Sequence, residues 1–395
     1  MRVAFLTHEP FYPPSGGGSA EAIYLVEELR RRGHEVHIFC PEIEDAKAVG
    51  EKFGVQFHLF TKWQMGRYTS LRSLKYLAYP SQLRRMVEAA GQLMKFDLVL
   101  SQHAISAAAA GPLRKSLGVP VVMNFLDYLT AFMETWPVWL APPVLLKQLK
   151  KFELGMPNRY GASGVLTVSD TLAELVAETG FPKERIQPMY YGYDAALFPL
   201  RTEAPEQPPI VVMHGSFDQH HLGPIALEAI GVVTQARPDV RFRFLGKHTD
   251  AVERIFQQVV KRYPNARVEC TGFIPYAEIG AELRAGSVGI IPYEESTGVH
   301  SAFIAKAVEY LGVGLPVVST RARGIQRYFS DEPLMKFSDF DGKQFGAEIL
   351  NWLATPQTEI QQLAVKASAR VRQELDWRVL CARAVDFCER MAKQS

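Results

Sequence analysis

Lys306 and Glu309 stand three residues apart in the segment SAFIAKAVEYLGVGLPVVST, which covers residues 301–320. Residues at this spacing share one face of a helix, so the two charged groups are expected to lie side by side. The letters GVGLPVVS predict a glycine turn and then a buried parallel strand. A carboxylate accepts hydrogen bonds from sugar hydroxyls, and a lysine binds phosphate oxygens as a compact charge. The segment therefore predicts a ribose-and-phosphate site, with a plain ion pair between the two side chains as the alternative.

A second glycine-rich segment lies near the start of the chain. Gly16, Gly17 and Gly18 stand between a predicted strand, Arg2–Thr7, and a predicted helix, Ala20–Arg32. Three successive glycines exceed the need of a strand–helix turn and cost backbone entropy, so we expect a ligand close to this backbone. An ordinary loop is the alternative. The G-x-G-x-x-G fingerprint is absent from the sequence, so the segment does not favour a nicotinamide dinucleotide.

Two series of alternating strands and helices are predicted to position these segments. The first series continues through FDLVLS, PVVMN and GVLTVS, and the second begins at the predicted strand Ile210–His214. Such alternation is typical of a parallel sheet, where ligands bind at the carboxyl ends of the strands. The segment at 200–209 is rich in proline and charge and is the predicted linker. The chain is therefore expected to be α/β, with domains at 1–199 and 200–376.

Composition narrows the class of protein. The chain has 395 residues, is 47% hydrophobic and carries a formal net charge of +2, so it can bury two cores and gives no argument for binding nucleic acid. None of the four cysteines forms a C-x-x-C pair, which disfavours a disulfide framework or a structural zinc site. The sequence shows no signal peptide and no apolar run long enough to span a bilayer, so a cytoplasmic location is expected.

Several motifs follow one another in a recognisable order: SGGGSAEAIYLVEELRRRGHEV, VLTVSDTLAELVAETG, YYGYDAALF, HGSF, TGFIP and IAKAVEYLGVGLPVVS. In this order the chain resembles, over nearly its whole length, the retaining glycosyltransferases of the GT-B fold, family 4 (group 1) in particular. The resemblance implies two Rossmann-like domains facing a cleft. The N-terminal domain would bind the acceptor and the C-terminal domain a nucleoside-diphosphate sugar. The terminal helix, residues 377–395, is similar to the segment that packs back on the first domain in this fold.

The resemblance also implies roles for residues of the donor site. Glu309 matches the glutamate that holds the ribose hydroxyls, the loop at Gly16–Gly18 matches the one that reaches the donor phosphates, and Gly215 lies in the motif HGSF. Four residues match the segment beside the base: Thr271, Gly272, Phe273 and Ile274. The implied reaction transfers a sugar with retention by a front-side route, in which the leaving diphosphate helps to deprotonate the acceptor. It needs no metal and no cofactor.

The sequence departs from the family pattern at the donor site. Ser301 aligns with the first glutamate of the family motif, and the neighbouring His300 could take over its contact with the donor sugar. The basic pair that clamps the diphosphate is absent near His221. We expect Lys247 and Lys306 to supply positive charge in its place. A surface position is the alternative for Lys247.

Two polar residues of the first domain are candidates for contact with the acceptor. Asp127 follows the strand VVMNF and could orient or deprotonate an acceptor hydroxyl, with a helix N-cap as the alternative. His103 follows FDLVLS and is a second candidate, with a loop or core role as the alternative. Three histidines lie close together in the sequence of the second domain, and Asp218 is the one carboxylate near them, so no metal site is expected. These histidines are His214, His220 and His221.

Basic and aromatic residues are interspersed at Lys62–Arg85 and at Trp136–Lys151 in the first domain. Such segments can line an acceptor groove, cover a core or lie at a membrane interface. Peripheral contact with the inner face of a membrane is therefore one expectation, next to a purely cytoplasmic protein.

The predicted function is transfer of a sugar from a UDP- or GDP-linked donor to a saccharide, a lipid-linked or a small-molecule acceptor in glycan, cell-envelope or glycoconjugate biosynthesis. Two alternatives stay open. One is a nucleotide-sugar epimerase of the same fold, which would consume the donor without an acceptor. The other is a nucleotide-sugar-binding protein with a degenerate catalytic site, which Ser301 and the missing basic clamp would favour.

Overall fold

A computed structural model describes residues 1–14, 17–61 and 72–394, and at 17–18 and 72–77 it describes the backbone alone. The described chain divides into two compact units. Unit 1 comprises Met1–Thr130, Pro142–Tyr190 and Trp377–Ser395, and unit 2 comprises Ala131–Ala141 and Tyr191–Asp376. Each unit is built on its own parallel sheet.

In the sheet of unit 1 the central strands are buried and mostly apolar, as expected for a parallel sheet that is covered on both faces. Its strands are β1 (Arg2–Thr7), β2 (Glu35–Pro41), β3 (Gln56–Phe60), β4 (Leu98–Gln102), β5 (Val121–Phe125), β6 (Gly164–Thr167) and β7 (Ile186–Pro188). Their order is β3-β2-β1-β4-β5-β6-β7, and all neighbours are parallel. The strand order therefore reverses between β1 and β4, which makes the carboxyl ends of these strands the switch point where ligands bind in such sheets.

The sheet of unit 2 repeats this topology with one strand fewer. Its strands are β8 (Ile210–His214), β9 (Arg241–Leu245), β10 (Arg267–Cys270), β11 (Val288–Ile291), β12 (Val317–Thr320) and β13 (Met335–Ser338). Their order is β10-β9-β8-β11-β12-β13, so the switch point lies between β8 and β11. The predicted strand at Ile210–His214 is confirmed.

Helices connect the strands of both sheets. They are α1 (Gly17–Arg31), α2 (Ala46–Phe53), α3 (Arg72–Leu93), α4 (His103–Ala110), α5 (Leu113–Ser116), α6 (Leu129–Phe132), α7 (Pro143–Tyr160), α8 (Asp170–Glu178), α9 (Pro224–Ala236), α10 (Asp250–Arg262), α11 (Tyr276–Ala285), α12 (Thr297–Ser301), α13 (Ala305–Val313), α14 (Arg323–Phe329), α15 (Gly342–Ala354), α16 (Gln357–Glu374) and α17 (Trp377–Lys393). Short 3-10 helices cover Met133–Thr135 and Lys183–Arg185.

The terminal helix α17 lies against α1 within unit 1. The ring of Trp377 stacks on that of Tyr24, with 5.2 Å between the ring centroids. Arg32 donates to Oδ1 of Asp386 at 2.5 Å and to the carbonyl of Ala382 at 2.9 Å. These contacts hold α17 against α1, so unit 1 contains Trp377–Ser395 as well as Met1–Thr130 and Pro142–Tyr190.

The glycine segments differ from the sequence prediction in two places. Helix α1 begins at Gly17 instead of Ala20, so Gly17 and Gly18 form its first turn, whereas Gly16 lies outside the described residues. The predicted turn at Gly312 is wrong, because this residue is inside α13. A Cβ atom at Gly312 would lie 2.1 Å from Cε2 of Tyr193, so close packing requires glycine there. Gly314 ends the helix with a φ of 75°, a left-handed conformation that favours glycine.

Candidate functional site

Glu309 is the centre of a polar cluster at the switch point of unit 2. It lies on α13, and only 2% of its surface is exposed. Tyr276 Oη donates to Glu309 Oε1 at 2.8 Å. His214, the last residue of β8, places its Nε2 2.7 Å from Glu309 Oε2, although the angles there are not those of a hydrogen bond. The backbone N–H of His214 donates to Tyr310 Oη at 3.2 Å, so two neighbouring residues of α13 hold the end of β8.

Lys306 is the cation of the same cluster, one turn before Glu309 on α13. Its Nζ donates to Tyr293 Oη at 2.9 Å, just beyond the end of β11. Gly215 follows β8 with a φ of 111°, and a Cβ atom there would lie 3.0 Å from Lys306 Nζ. The lack of a side chain at Gly215 therefore leaves room for the ammonium group beside the backbone. The predicted juxtaposition of a lysine and a carboxylate is present, and each has a separate partner instead of a mutual ion pair.

The predicted base-side residues directly follow β10. They are Thr271, Gly272, Phe273 and Ile274. A backbone bridge joins Gly246 to Gly272, which brings the ends of β9 and β10 together. Next to this bridge, Lys247 Nζ lies 5.3 Å from the ring centroid of Phe273, whose surface is 57% exposed. An exposed aromatic ring beside a cation can stack a nucleobase and attract a phosphate.

His300 and Ser301 end the short helix α12. The Ser301 side chain is fully buried, and its hydroxyl donates to the carbonyl of Thr297 at 2.9 Å within the same helix. His300 Nδ1 accepts the N–H of Arg323 at 3.4 Å, so its Nε2 carries the proton and donates to Glu295 Oε1 at 3.2 Å. Contact of either residue with a donor sugar stays a prediction.

Asp218, His220 and His221 bring their potential ligand atoms within 4.8 Å of one another. His221 Nδ1, however, accepts the backbone N–H of Asp218 at 3.1 Å. Nδ1 of His221 therefore carries no proton, and its lone pair is used by this hydrogen bond. In the neutral ring the proton is on Nε2, so neither ring nitrogen has a lone pair available for a metal. A metal ion would have to break this bond, and the expectation of no metal site stays a prediction.

Glu21 is a buried residue of unit 1 that the sequence analysis missed. It lies on α1 with 1% of its surface exposed, and it accepts hydrogen bonds from Asn124 Nδ2 at 2.6 Å and Gln102 Nε2 at 3.2 Å. Burial raises its pKa to about 7, against the lowering effect of these two hydrogen bonds. Leu25 and Leu29 follow it at helical spacing and are also buried, so the helical period could have indicated burial.

His103 lies at the switch point of unit 1. It follows Gln102 at the end of β4, opens α4 with a φ of 67°, and packs edge-on against His8 with 5.0 Å between ring centroids. A positive φ is uncommon for a residue with a side chain and costs about 1–3 kcal/mol. Strain of this kind is concentrated at functional sites, which supports a role beyond the core for His103.

Asp127 follows β5, next to β4 in the sheet, so both predicted acceptor-domain residues lie at the same sheet edge. The alternative role for Asp127 was the cap of the next helix. In the structure, the backbone N–H groups of Leu129 and Thr130 donate instead to Oε1 and Oε2 of Glu153, both at 2.8 Å. Glu153 is buried, and burial raises its pKa to about 7. Glu153 therefore caps this turn, and the catalytic role of Asp127 stays a prediction.

Known families match both halves of the chain. A model described as a Glycosyl transferase 4-like domain matches residues 16–192, and one described as Glycosyl transferases group 1 matches residues 208–355. A GDP-mannose-dependent alpha-mannosyltransferase of Mycolicibacterium smegmatis is 26% identical over 338 residues, which are 82% of this chain and 80% of that protein.

Solved structures show the same fold. Anabaena HepE in complex with UDP and glucose has a TM-score of 0.72 at 18% identity and covers 98% of both chains. Sucrose-phosphate synthase from Thermosynechococcus elongatus has a TM-score of 0.80 at 17% identity and covers 100% of both chains. With two sheets of this topology, and with family models matching both halves, the chain belongs to the group 1 glycosyltransferases of the GT-B fold.

Proposed function

We propose that this glycosyltransferase moves a sugar, with retention, from a UDP- or GDP-linked donor to an acceptor hydroxyl during glycan, cell-envelope or glycoconjugate synthesis. The observation that supports it best is the position of Glu309 and Lys306 one turn apart on α13, at the switch point of unit 2. A carboxylate suited to ribose hydroxyls stands one helical turn from an ammonium group suited to phosphate. The mannosyltransferase relative, which uses GDP-mannose, supports a nucleotide-linked donor.

The residues of unit 2 suggest how the donor would be held and activated. Glu309 would accept from the ribose hydroxyls, and the exposed ring of Phe273 would stack on the base. Lys306 would stabilise the charge that develops on the leaving diphosphate, helped by the backbone at Gly215. The diphosphate oxygen would then take the proton of the acceptor hydroxyl as the new bond forms on the same face of the sugar.

Acceptor binding is assigned in this proposal to unit 1. His103 and Asp127 follow neighbouring strands, and either could orient the acceptor hydroxyl by hydrogen bonding. Catalysis would rest on positioning and on charge stabilisation and would require no metal or cofactor.

A binding panel tests the donor site. Purified protein is melted with UDP, GDP, ADP, TDP and CMP, and one diphosphate should raise the melting temperature, because a ligand that binds only the folded state stabilises it. Glu309→Gln keeps the volume of the side chain and should weaken that ligand at least about tenfold, since hydrogen bonds to a charged group contribute about 1.5–3 kcal/mol. Its melting temperature without nucleotide serves as the control for folding. Equal nucleotide affinity in the variant would remove Glu309 from the site.

Product analysis separates the transferase from its two alternatives. Labelled donor is incubated alone, with free oligosaccharides and with a lipid extract. Transfer with an unchanged anomeric configuration, read from proton coupling constants, supports the proposal. An isomerised donor sugar without an acceptor would indicate an epimerase, and binding without turnover in every mixture would indicate a degenerate site.

The exposed face of α7 supports peripheral membrane contact as part of this proposal. Val144 and Leu145 are 78% and 52% exposed, and Phe152 is also exposed two turns later. Lys147 and Lys151 are exposed on the same helix. Its one acidic residue, Glu153, is buried, so this face carries no negative charge. An apolar face with lysines is suited to anionic lipid, where each lysine contributes about 1 kcal/mol.

We propose that unit 1 contacts the cytoplasmic face of a membrane. Vesicle sedimentation tests this contact. The protein should bind vesicles containing phosphatidylglycerol, release them at high salt, and lose binding in Val144→Ser/Leu145→Ser. Residues 62–71 of the predicted basic and aromatic segment Lys62–Arg85 lie outside the described residues. Among the described residues, no helix is long and apolar enough to cross a membrane. Equal binding to neutral vesicles would contradict the electrostatic part of the argument.

A further inference from the structure

The Glu309 carboxylate is covered by two side chains of its own unit. Oε1 accepts the Tyr276 hydroxyl at 2.8 Å, and the ring of His214 lies 2.7 Å from Oε2. With 2% of its surface exposed, Glu309 cannot be reached by a ribose unless one of these neighbours moves. Tyr276 and His214 therefore control access to Glu309, which the proposed function assigns to ribose binding.

Tyr276 is the partner that can leave. His214 is buried at the end of β8, where its N–H donates to Tyr310 Oη and its ring packs edge-on against the Tyr310 ring at 5.3 Å. Tyr276 is half-buried and is the first residue of α11. Its ring packs edge-on against the buried Phe198 at 5.5 Å. A rotation of the tyrosine side chain releases the carboxylate, whereas the buried ring of His214 would have to leave its contact with Tyr310.

We propose that Tyr276 competes with the nucleotide for Glu309: its hydroxyl occupies the position on this carboxylate that a ribose hydroxyl takes when the nucleotide binds. This inference rests on the proposed function. Phenol and sugar hydroxyls both donate one O–H to a carboxylate at nearly the same distance. Binding therefore exchanges one such bond for another. A ligand without hydroxyls on the ribose leaves the bond between Tyr276 and Glu309 in place, so Tyr276 lowers the affinity for ribonucleotides and leaves that for their dideoxy forms unchanged.

Removal of the competing hydroxyl should tighten binding. In Tyr276→Phe, Glu309 has no tyrosine hydroxyl to release, while the ring keeps its packing against Phe198. Hydrogen bonds to charged groups are among the stronger ones, but in the variant a water molecule will replace part of the bond that Tyr276 makes to Glu309. We therefore expect about threefold to tenfold tighter binding of UDP or GDP, whichever the wild type binds. The 2′,3′-dideoxy form of the same nucleotide should bind the wild type and the variant equally.

Calorimetric titration of the full chain tests this expectation. The matched control is Tyr328→Phe, which removes a tyrosine hydroxyl that donates to Glu374 at 2.9 Å on the surface of unit 2, and it should leave nucleotide affinity unchanged. Tighter binding of the ribonucleotide by Tyr276→Phe alone supports the inference. Equal or weaker binding by this variant overturns it and leaves the donor site intact. Absence of binding by the wild type and all variants overturns the proposed function together with this inference.

Discussion

The buried carboxyl group of Glu21 should make the stability of unit 1 depend on pH. Its pKa rises from an ordinary value of 4.5 to about 7 because the group is buried, and its hydrogen-bond partners are two neutral amides, on Asn124 and Gln102. Between these two pH values the unfolded chain ionises at this position while the folded chain keeps its proton. The free energy of unfolding should therefore fall by about 1.4 kcal/mol per pH unit there.

The whole effect amounts to about 3 kcal/mol, which is the shift of about 2.5 units multiplied by that slope. The stabilising contribution is fully present below pH 4.5 and is lost as the pH rises through 7. Glu21→Gln cannot titrate, and its amide can exchange hydrogen bonds with Asn124, whose carbonyl oxygen has no hydrogen-bond partner among the described residues. The variant should therefore gain stability over the wild type as the pH rises, by about 3 kcal/mol between pH 4.5 and pH 8.

Calorimetric melting of both proteins at pH 5, 6, 7 and 8 measures this difference. A domain of 150–250 residues changes its melting temperature by about 2–4 °C per kcal/mol, so the variant should gain about 5–10 °C between pH 5 and pH 8. Glu28→Gln is the matched control on the same helix. Hydrogen bonds from Arg31 and Arg32 lower the pKa of Glu28 below its ordinary value of 4.5, so this group is ionised in the folded and the unfolded chain throughout the assay, and the difference between this variant and the wild type should not depend on pH. A pH-independent difference between Glu21→Gln and the wild type would refute the reasoning.

Three further changes test the packing and the nucleotide contacts of unit 2. Gly312→Ala should destabilise the protein by about 1–3 kcal/mol, measured by urea unfolding, because the new Cβ would meet the ring of Tyr193 at 2.1 Å. Gly215→Ala should weaken nucleoside diphosphate binding in a calorimetric titration, because its positive φ is strained for alanine and its Cβ would reach Lys306 Nζ. Phe273→Ala should raise the Kd of the bound nucleotide about fivefold or more, since base stacking contributes about 1–3 kcal/mol, and should leave the melting temperature of the free protein unchanged because the ring is exposed.

The fold could be predicted because its signals are local. Buried strands appear as short apolar runs, and β8 was placed at Ile210–His214 from such a run followed by a glycine. The spacing of Lys306 and Glu309 likewise predicted their common face on α13. The glycines were harder, because the sequence does not say whether a glycine is needed for backbone conformation or for packing. Gly314 has the left-handed conformation of a turn, whereas Gly312 is helical and leaves space for an aromatic ring.

Glu21 and Glu28 show where sequence reasoning stops. Both are buried on the same side of α1, seven residues apart, and the helical period indicates burial for both. The partners of Glu28 are Arg31 and Arg32, three and four residues away, so its lowered pKa follows from the helix alone. The partners of Glu21 lie 81 and 103 residues away on two other strands, and no local pattern reveals that they are neutral amides. The same limit applies to Tyr276, 33 residues from Glu309, because the bond that covers this carboxylate exists only once α11 and α13 are packed. Local spacing therefore identifies which charged groups are buried, and the tertiary fold decides whether each one is paired, neutral or covered.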